Sequence, residues 1–143
     1  MNQVILSVGS NIEPEKNIRK AQIQLAKTQT FIKASQFYRT KPIGFMEQAD
    51  FLNGAYLLHT EDSRETLNKK LKQIEIDLGR VKTKNKNGPR CIDLDIVVWN
   101  RKIIDRDFYE RDFIKTTVLE LMPDLLWVEA SGSCYSRMET NKI

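Results

Sequence analysis

Asp93 and Asp95 are separated by one residue in the run CIDLDIVV, a segment whose aliphatic residues mark it as a strand. Side chains alternate faces along a strand, so the two acids point the same way, roughly 6 to 7 Å apart, while Ile92, Leu94, Ile96 and Val98 turn toward a core. Paired carboxylates on a rigid strand suit a hard cation such as Mg²⁺, which takes oxygen ligands and commonly carries substrate phosphates with it. Upstream stand Arg80, Lys82, Lys84, Lys86 and Arg90, cations of the kind that grip phosphate. Gly88 and Pro89 set a sharp entry before Arg90 and aim the charged loop at the acids. Two readings fit these residues: a site for metal and polyphosphate together, or a solvated sheet face beside a solvated lysine run.

The bulk properties narrow the setting. With 143 residues, 41% hydrophobic and 29% charged, residues 1–143 read as one soluble domain. No apolar run approaches the ~20 residues of a membrane span, and the start MNQVILSVGSN lacks a secretory pattern, so a cytoplasmic protein without a membrane partner is expected. The net charge of +4 is concentrated in residues 82–90, which favours a discrete anion site over a general basic coat. Cys91 and Cys134 form no zinc pattern, and the single histidine, His59, reads as structural or surface.

The elements that must position the acids follow from periodicity. Residues 3–8 form a first strand closed by Gly9, Ser10 and Asn11. Pro14 opens a helix with Ile18, Ala21 and Leu25 on one stripe, ending near Thr28. Residues 31–40 and 51–60 read as two strands around a long loop. Ser63 caps a second helix whose stripe is Leu67, Leu71, Ile74 and Leu78, stopped by Gly79. Glu75 borders that stripe, either as a site residue or as a partner of Lys72. Residues 92–99 make the fourth strong strand, and 113–121 a short helix. The order βαββαβ predicts an α+β, ferredoxin-like antiparallel sheet with helices on one face and the active site on the other.

With GPRCIDLDI reached, the chain resembles the 6-hydroxymethyl-7,8-dihydropterin pyrophosphokinases, whose signature is GPR, two residues, then D, an aliphatic, D. Gly9-Ser10-Asn11 resembles the family's GSN, and Phe37-Tyr38-Arg39-Thr40 its FYRT. Asp50-Phe51-Leu52-Asn53 resembles its D-[YF]-L-N, and Ile74-Glu75 with Gly79-Arg80 its I-E and G-R pairs. The likeness runs in order from about residue 4 to 125.

The resemblance implies transfer of the β,γ-pyrophosphoryl unit of ATP to the hydroxymethyl oxygen of the pterin, giving AMP. It implies two Mg²⁺ ions on Asp93 and Asp95, with Arg80 and Arg90 as catalytic phosphate-gripping arginines. Lys72, Glu75, Lys82, Ile96 and Arg111 would complete the ATP site. Thr40, Ile43, Phe51, Asn53, Asp93 and Phe113 would form the pterin site, Asn53 reading the hydrogen-bonding edge and the aromatics packing on the ring. The implied partners are ATP and the pterin alone, with no nucleic acid, and the protein is expected to be a monomer. In one place the chain departs from the family, which usually carries a histidine after the fourth strand: residues 104–110 read IDRDFYE. Arg106 or another cation would have to substitute, or the chain binds nucleotide or pterin with little turnover. An RNA-binding module on the same plan is a further alternative, but the RNP1 aromatics are missing. There is no P-loop motif.

Overall fold

The computed structural model describes residues 1–42, 47–79 and 91–130, with side chains as far as Trp127. Strand β1 (Asn2–Ser10) leads to helix α1 (Pro14–Thr28), then to β2 (Thr30–Ala34), β3 (Tyr38–Thr40) and β4 (Phe51–Thr60). Helix α2 (Arg64–Asp77) precedes β5 (Asp93–Trp99) and β6 (Lys102–Ile103), and the short helices α3 (Asp107–Glu110), α4 (Asp112–Leu121) and α5 (Leu125–Ala130) follow. The sheet runs β2-β4-β1-β5-β6, with β3 also on β4 and every described pairing antiparallel. Placing β1 between β4 and β5 is the split βαβ arrangement expected from the element order.

Local chemistry sets the helix ends. Pro14 stands in the first turn of α1, where its missing N–H is not needed. Ser63 caps α2 by accepting the Thr66 N–H at 3.1 Å. Gly79, at φ 102°, takes the left-handed conformation that ends the helix. The apolar stripes of α1 and α2 close on one sheet face: Ile18, Ala21 and Leu25, with Leu67, Leu71 and Ile74, meet Val4, Leu6, Val8, Tyr56, Leu58, Leu94 and Ile96. Burial there pushes the Tyr56 phenol well above its ordinary range, and its hydroxyl donates to the Ile18 carbonyl at 3.1 Å.

Three features go beyond the sequence reading. The expected strand 31–40 is broken: β2 and β3 lie end to end on β4, and Ser35 between them donates its N–H to the Ala55 carbonyl while its hydroxyl oxygen accepts the Ala55 N–H. A two-residue turn, Asn100 and Arg101 at φ 49° and 68°, folds β6 back on β5. The face opposite α1 and α2 is not bare. Phe108, Ile114, Val118, Leu121, Met122 and Leu125 form a second core there with Ile5, Ala55, Leu57, Val97 and Val98, because the stripe of α4 also has to leave water. Among the described residues, the other end of that face is left uncovered.

Candidate active site

The open end is built by strand register. Gly9 of β1 lies between Asn53 of β4 and Asp93 of β5, and Ser7 lies between Ala55 and Asp95. Residues paired across antiparallel strands share a face, so Asn53, Asp93 and Asp95 emerge on the side away from α1 and α2. Thr40 pairs with Phe51, which brings both to that face as well, and the Asn53 amide donates to the Thr40 hydroxyl. All five are half-buried. Gly9 is the floor of this row. A Cβ at that position would stand 2.5 Å from Asn53 Oδ1, so only glycine leaves the asparagine its place and the surface between Asn53 and Asp93 flat. Asn11, just past β1, donates to Gln48 Oε1 at 2.7 Å and to the Ala49 carbonyl at 3.0 Å, holding the approach to β4 against the same end of the sheet.

The edge of β5 is closed by side chains of α2. β6 pairs only with Val98 and Trp99, so among the described residues no strand lies beside Leu94 on that side. Glu75, 2% exposed, accepts the Leu94 N–H at 2.7 Å. Lys72 donates to the Leu94 carbonyl at 3.0 Å, and to Glu75 Oε2 and Asp95 Oδ1 at 3.2 Å each. Two side chains thus take the part of a missing strand. Burial works against the Lys72 charge, but the Asp95 and Glu75 carboxylates outweigh it and its pKa is raised.

The residues singled out in the sequence divide accordingly. Asp93, Asp95, Asn53, Phe51 and Thr40 share the open face, and Lys72 and Glu75 meet them at its edge. Phe113 packs in the second core at the start of α4. Arg111, beside it, lies 3.7 Å from Asp107. Ile96 directs its side chain into the first core, which leaves only its backbone for a ligand. Glu75 is more buried than its place at the stripe border suggests, because its carboxylate serves a backbone amide. Arg106 is 87% exposed and paired with Glu110 at 3.5 Å. Ile43, Arg80, Lys82, Lys84, Lys86 and Arg90 lie outside the described residues. His59 stands at the far end of β4 from Asn53, with Gln3 and Thr30 as register partners.

One acid near the site was missed. Burial raises the pKa of Asp105; the Asp107 N–H, donating to its Oδ1 at 2.9 Å, opposes the shift, and the Asp107 and Asp95 charges add to it. No local pattern marks this residue, since the fold-back of β6 alone brings it near Asp95.

The donor set bears on a metal. Among the described residues no three histidine, cysteine or acidic side chains converge as a complete metal cage. Two carboxylates on one open face, Asp95 with 43% of its side chain exposed, instead fit a Mg²⁺ that draws its remaining ligands from water and substrate phosphates.

Comparison with known proteins places the chain in a family. Residues 5–123 match the family model described as 7,8-dihydro-6-hydroxymethylpterin-pyrophosphokinase. The chain is 37% identical to the folic acid synthesis protein FOL1 of Dictyostelium discoideum, over 87% of this chain and 20% of that one. It is 32% identical to the 2-amino-4-hydroxy-6-hydroxymethyldihydropteridine pyrophosphokinase of Haemophilus influenzae, over 85% of this chain and 82% of that one. The corresponding protein of Bacillus subtilis is 34% identical over 84% and 78%. The chain spans 18 to 20% of the length of the folic acid synthesis proteins it matches. Matched over most of its length by the family model and by the two bacterial proteins alike, the chain belongs to the 7,8-dihydro-6-hydroxymethylpterin-pyrophosphokinase family.

Proposed function

We propose that the protein transfers the pyrophosphoryl group of ATP to 6-hydroxymethyl-7,8-dihydropterin, releasing AMP. The hydroxymethyl oxygen gives up its proton to solvent and bonds to the β-phosphorus, the bond from that phosphorus to the α–β bridging oxygen breaks, and AMP leaves with the bridging oxygen. The observation that carries this reading is the shared face on which Asn53, Phe51 and Thr40 stand across Gly9 from Asp93 and Asp95. One end of that row offers hydrogen bonds and an aromatic surface to a flat heterocycle, and the other offers oxygen ligands.

Two Mg²⁺ ions on Asp93 and Asp95 would neutralise triphosphate charge and align the attacking and leaving oxygens. The chain's own work is positioning. Strand register fixes the two carboxylates, Asn53 orients the ring, and Arg111, with Arg80, Lys82 and Arg90, supplies positive charge for the phosphates. The same strand acids disfavour a nucleic-acid backbone on this face. The reading extends to a cytoplasmic monomer acting on small molecules: no described helix is long and apolar enough to cross a membrane, and the large exposed apolar side chains are spread over several elements.

The test is incubation of the purified protein with Mg-ATP and the reduced pterin alcohol, followed by separation of nucleotides. AMP with pterin pyrophosphate is expected. ADP, or ATP left intact, overturns the proposal.

A further inference from the structure

The ammonium of Lys72 has three N–H donors, and three acceptors meet it: the Leu94 carbonyl, Glu75 Oε2 and Asp95 Oδ1, at 3.0, 3.2 and 3.2 Å. Two of these anchors have nothing to do with Asp95. The Leu94 carbonyl belongs to the β5 edge, and Glu75 lies one helical turn away on α2, buried and fixed by the Leu94 N–H. The cation is therefore held where it is by the strand edge, and its contact with Asp95 comes with that placement. On the reading given above, the same carboxylate binds a divalent ion. Two cations that share one carboxylate repel each other, and the half-buried setting screens that repulsion less than water does.

We propose that Lys72 sets the affinity of this site for its divalent ion by sharing the Asp95 carboxylate with it. Lys72 keeps the ion's hold on the aspartate pair weak, so that the ion binds well only when the nucleotide's phosphates add negative charge. Lys72 is in this sense an affinity-determining residue, and metal loading becomes dependent on nucleotide. The inference rests on the assignment of Asp93 and Asp95 as metal ligands.

The experiment is titration of the protein with Mn²⁺ followed by electron paramagnetic resonance, first without nucleotide and then with a non-hydrolysable ATP analogue. Lys72→Gln, which removes the charge but can still hydrogen-bond to Leu94 and Glu75, should tighten Mn²⁺ binding about three- to tenfold without nucleotide, and by less with the analogue present. Lys72→Arg should stay within about twofold of wild type. A merely structural role for Lys72 has the opposite sign, since loosening the β5 edge weakens the site. Unchanged or weaker Mn²⁺ binding by Lys72→Gln overturns the inference. Asp95→Asn separates this failure from that of the metal assignment: if it leaves Mn²⁺ binding intact, both fall. A second measurement needs no variant. By reciprocity, Mg²⁺ should loosen the hold of Asp95 on Lys72, so acetylation of the Lys72 amine should speed up as Mg²⁺ is added, and an unchanged rate counts against the proposal.

Discussion

Strands β1, β4 and β5 each pass from one kind of surface to another along the same face. At one end Ile5, Leu57, Val97 and Val98 are sealed under α3, α4 and α5. At the other, Asn53, Asp93 and Asp95 are half-buried around a buried Gly9. The reverse face shows no such change, since Val4, Leu6, Val8, Leu94 and Ile96 are buried along its length. The open end is therefore mounted on strands held from beneath by one core and gripped at their far end by a second. Rigid support and a polar surface coexist because each strand alternates, and preorganised side chains are what positioning chemistry requires.

This contrast predicts that the open end and the core beneath it respond oppositely to mutation. Asp95→Ala should cut turnover by about a thousandfold or more, in line with the loss of a preorganised electrostatic group, and leave the melting temperature close to wild type because no core rests on that carboxylate. Steady-state kinetics and thermal melts on one preparation check both halves. Leu71→Ala, beneath the same sheet and 0% exposed, should do the reverse, costing about 2 to 5 kcal/mol of stability with kcat preserved in the folded fraction, as read by denaturant titration and active-site-normalised rates.

Gly9→Ala sharpens the comparison within the open end. Its new methyl meets Asn53 Oδ1, so Asn53 must turn away and lose its aim. A site built on hydrogen bonds penalises an unpaired partner, and pterin binding should weaken by about 1 to 3 kcal/mol, as should that of Asn53→Ala. ATP binding should barely move in either variant. Calorimetry with each ligand decides the matter, and equal losses for both would remove Asn53 from the pterin end.

How far this division was legible in the sequence depends on the range of the interactions. Period 3.6 on α1 and α2 and period 2 on β5 are local, and they sufficed for the βαββαβ order and for the shared face of Asp93 and Asp95. The break between β2 and β3 was hidden because Ser35 replaces one ladder bond with its side chain, which alters no hydrophobic pattern. The β5–β6 turn was hidden because Arg101 is not a residue associated with positive φ. Lys72 and Asp95, 23 positions apart, meet only after α2 docks on the β5 edge. The stripe of α4 was visible, but where it would be buried was a tertiary question.

The smallest effect concerns Asp105, at the border between the sealed and open ends. Burial raises its pKa in the folded state, with the Asp107 and Asp95 charges adding to the shift. An acid with a raised folded pKa binds its proton more tightly folded than unfolded. Folding therefore loses stability as pH rises from the unfolded value, 3.8, through the folded one, and the loss is complete above that. Asp105→Asn removes the charge, and its side-chain oxygen can still accept the Asp107 N–H. The variant should therefore melt slightly higher than wild type at pH 7, by a margin reduced by solvent screening of a group that is partly exposed. That margin should close as pH falls toward 3.8 and wild-type Asp105 takes up its proton. Melts of both proteins between pH 3.5 and 8 test the account, and a margin independent of pH would show that something other than this charge separates them.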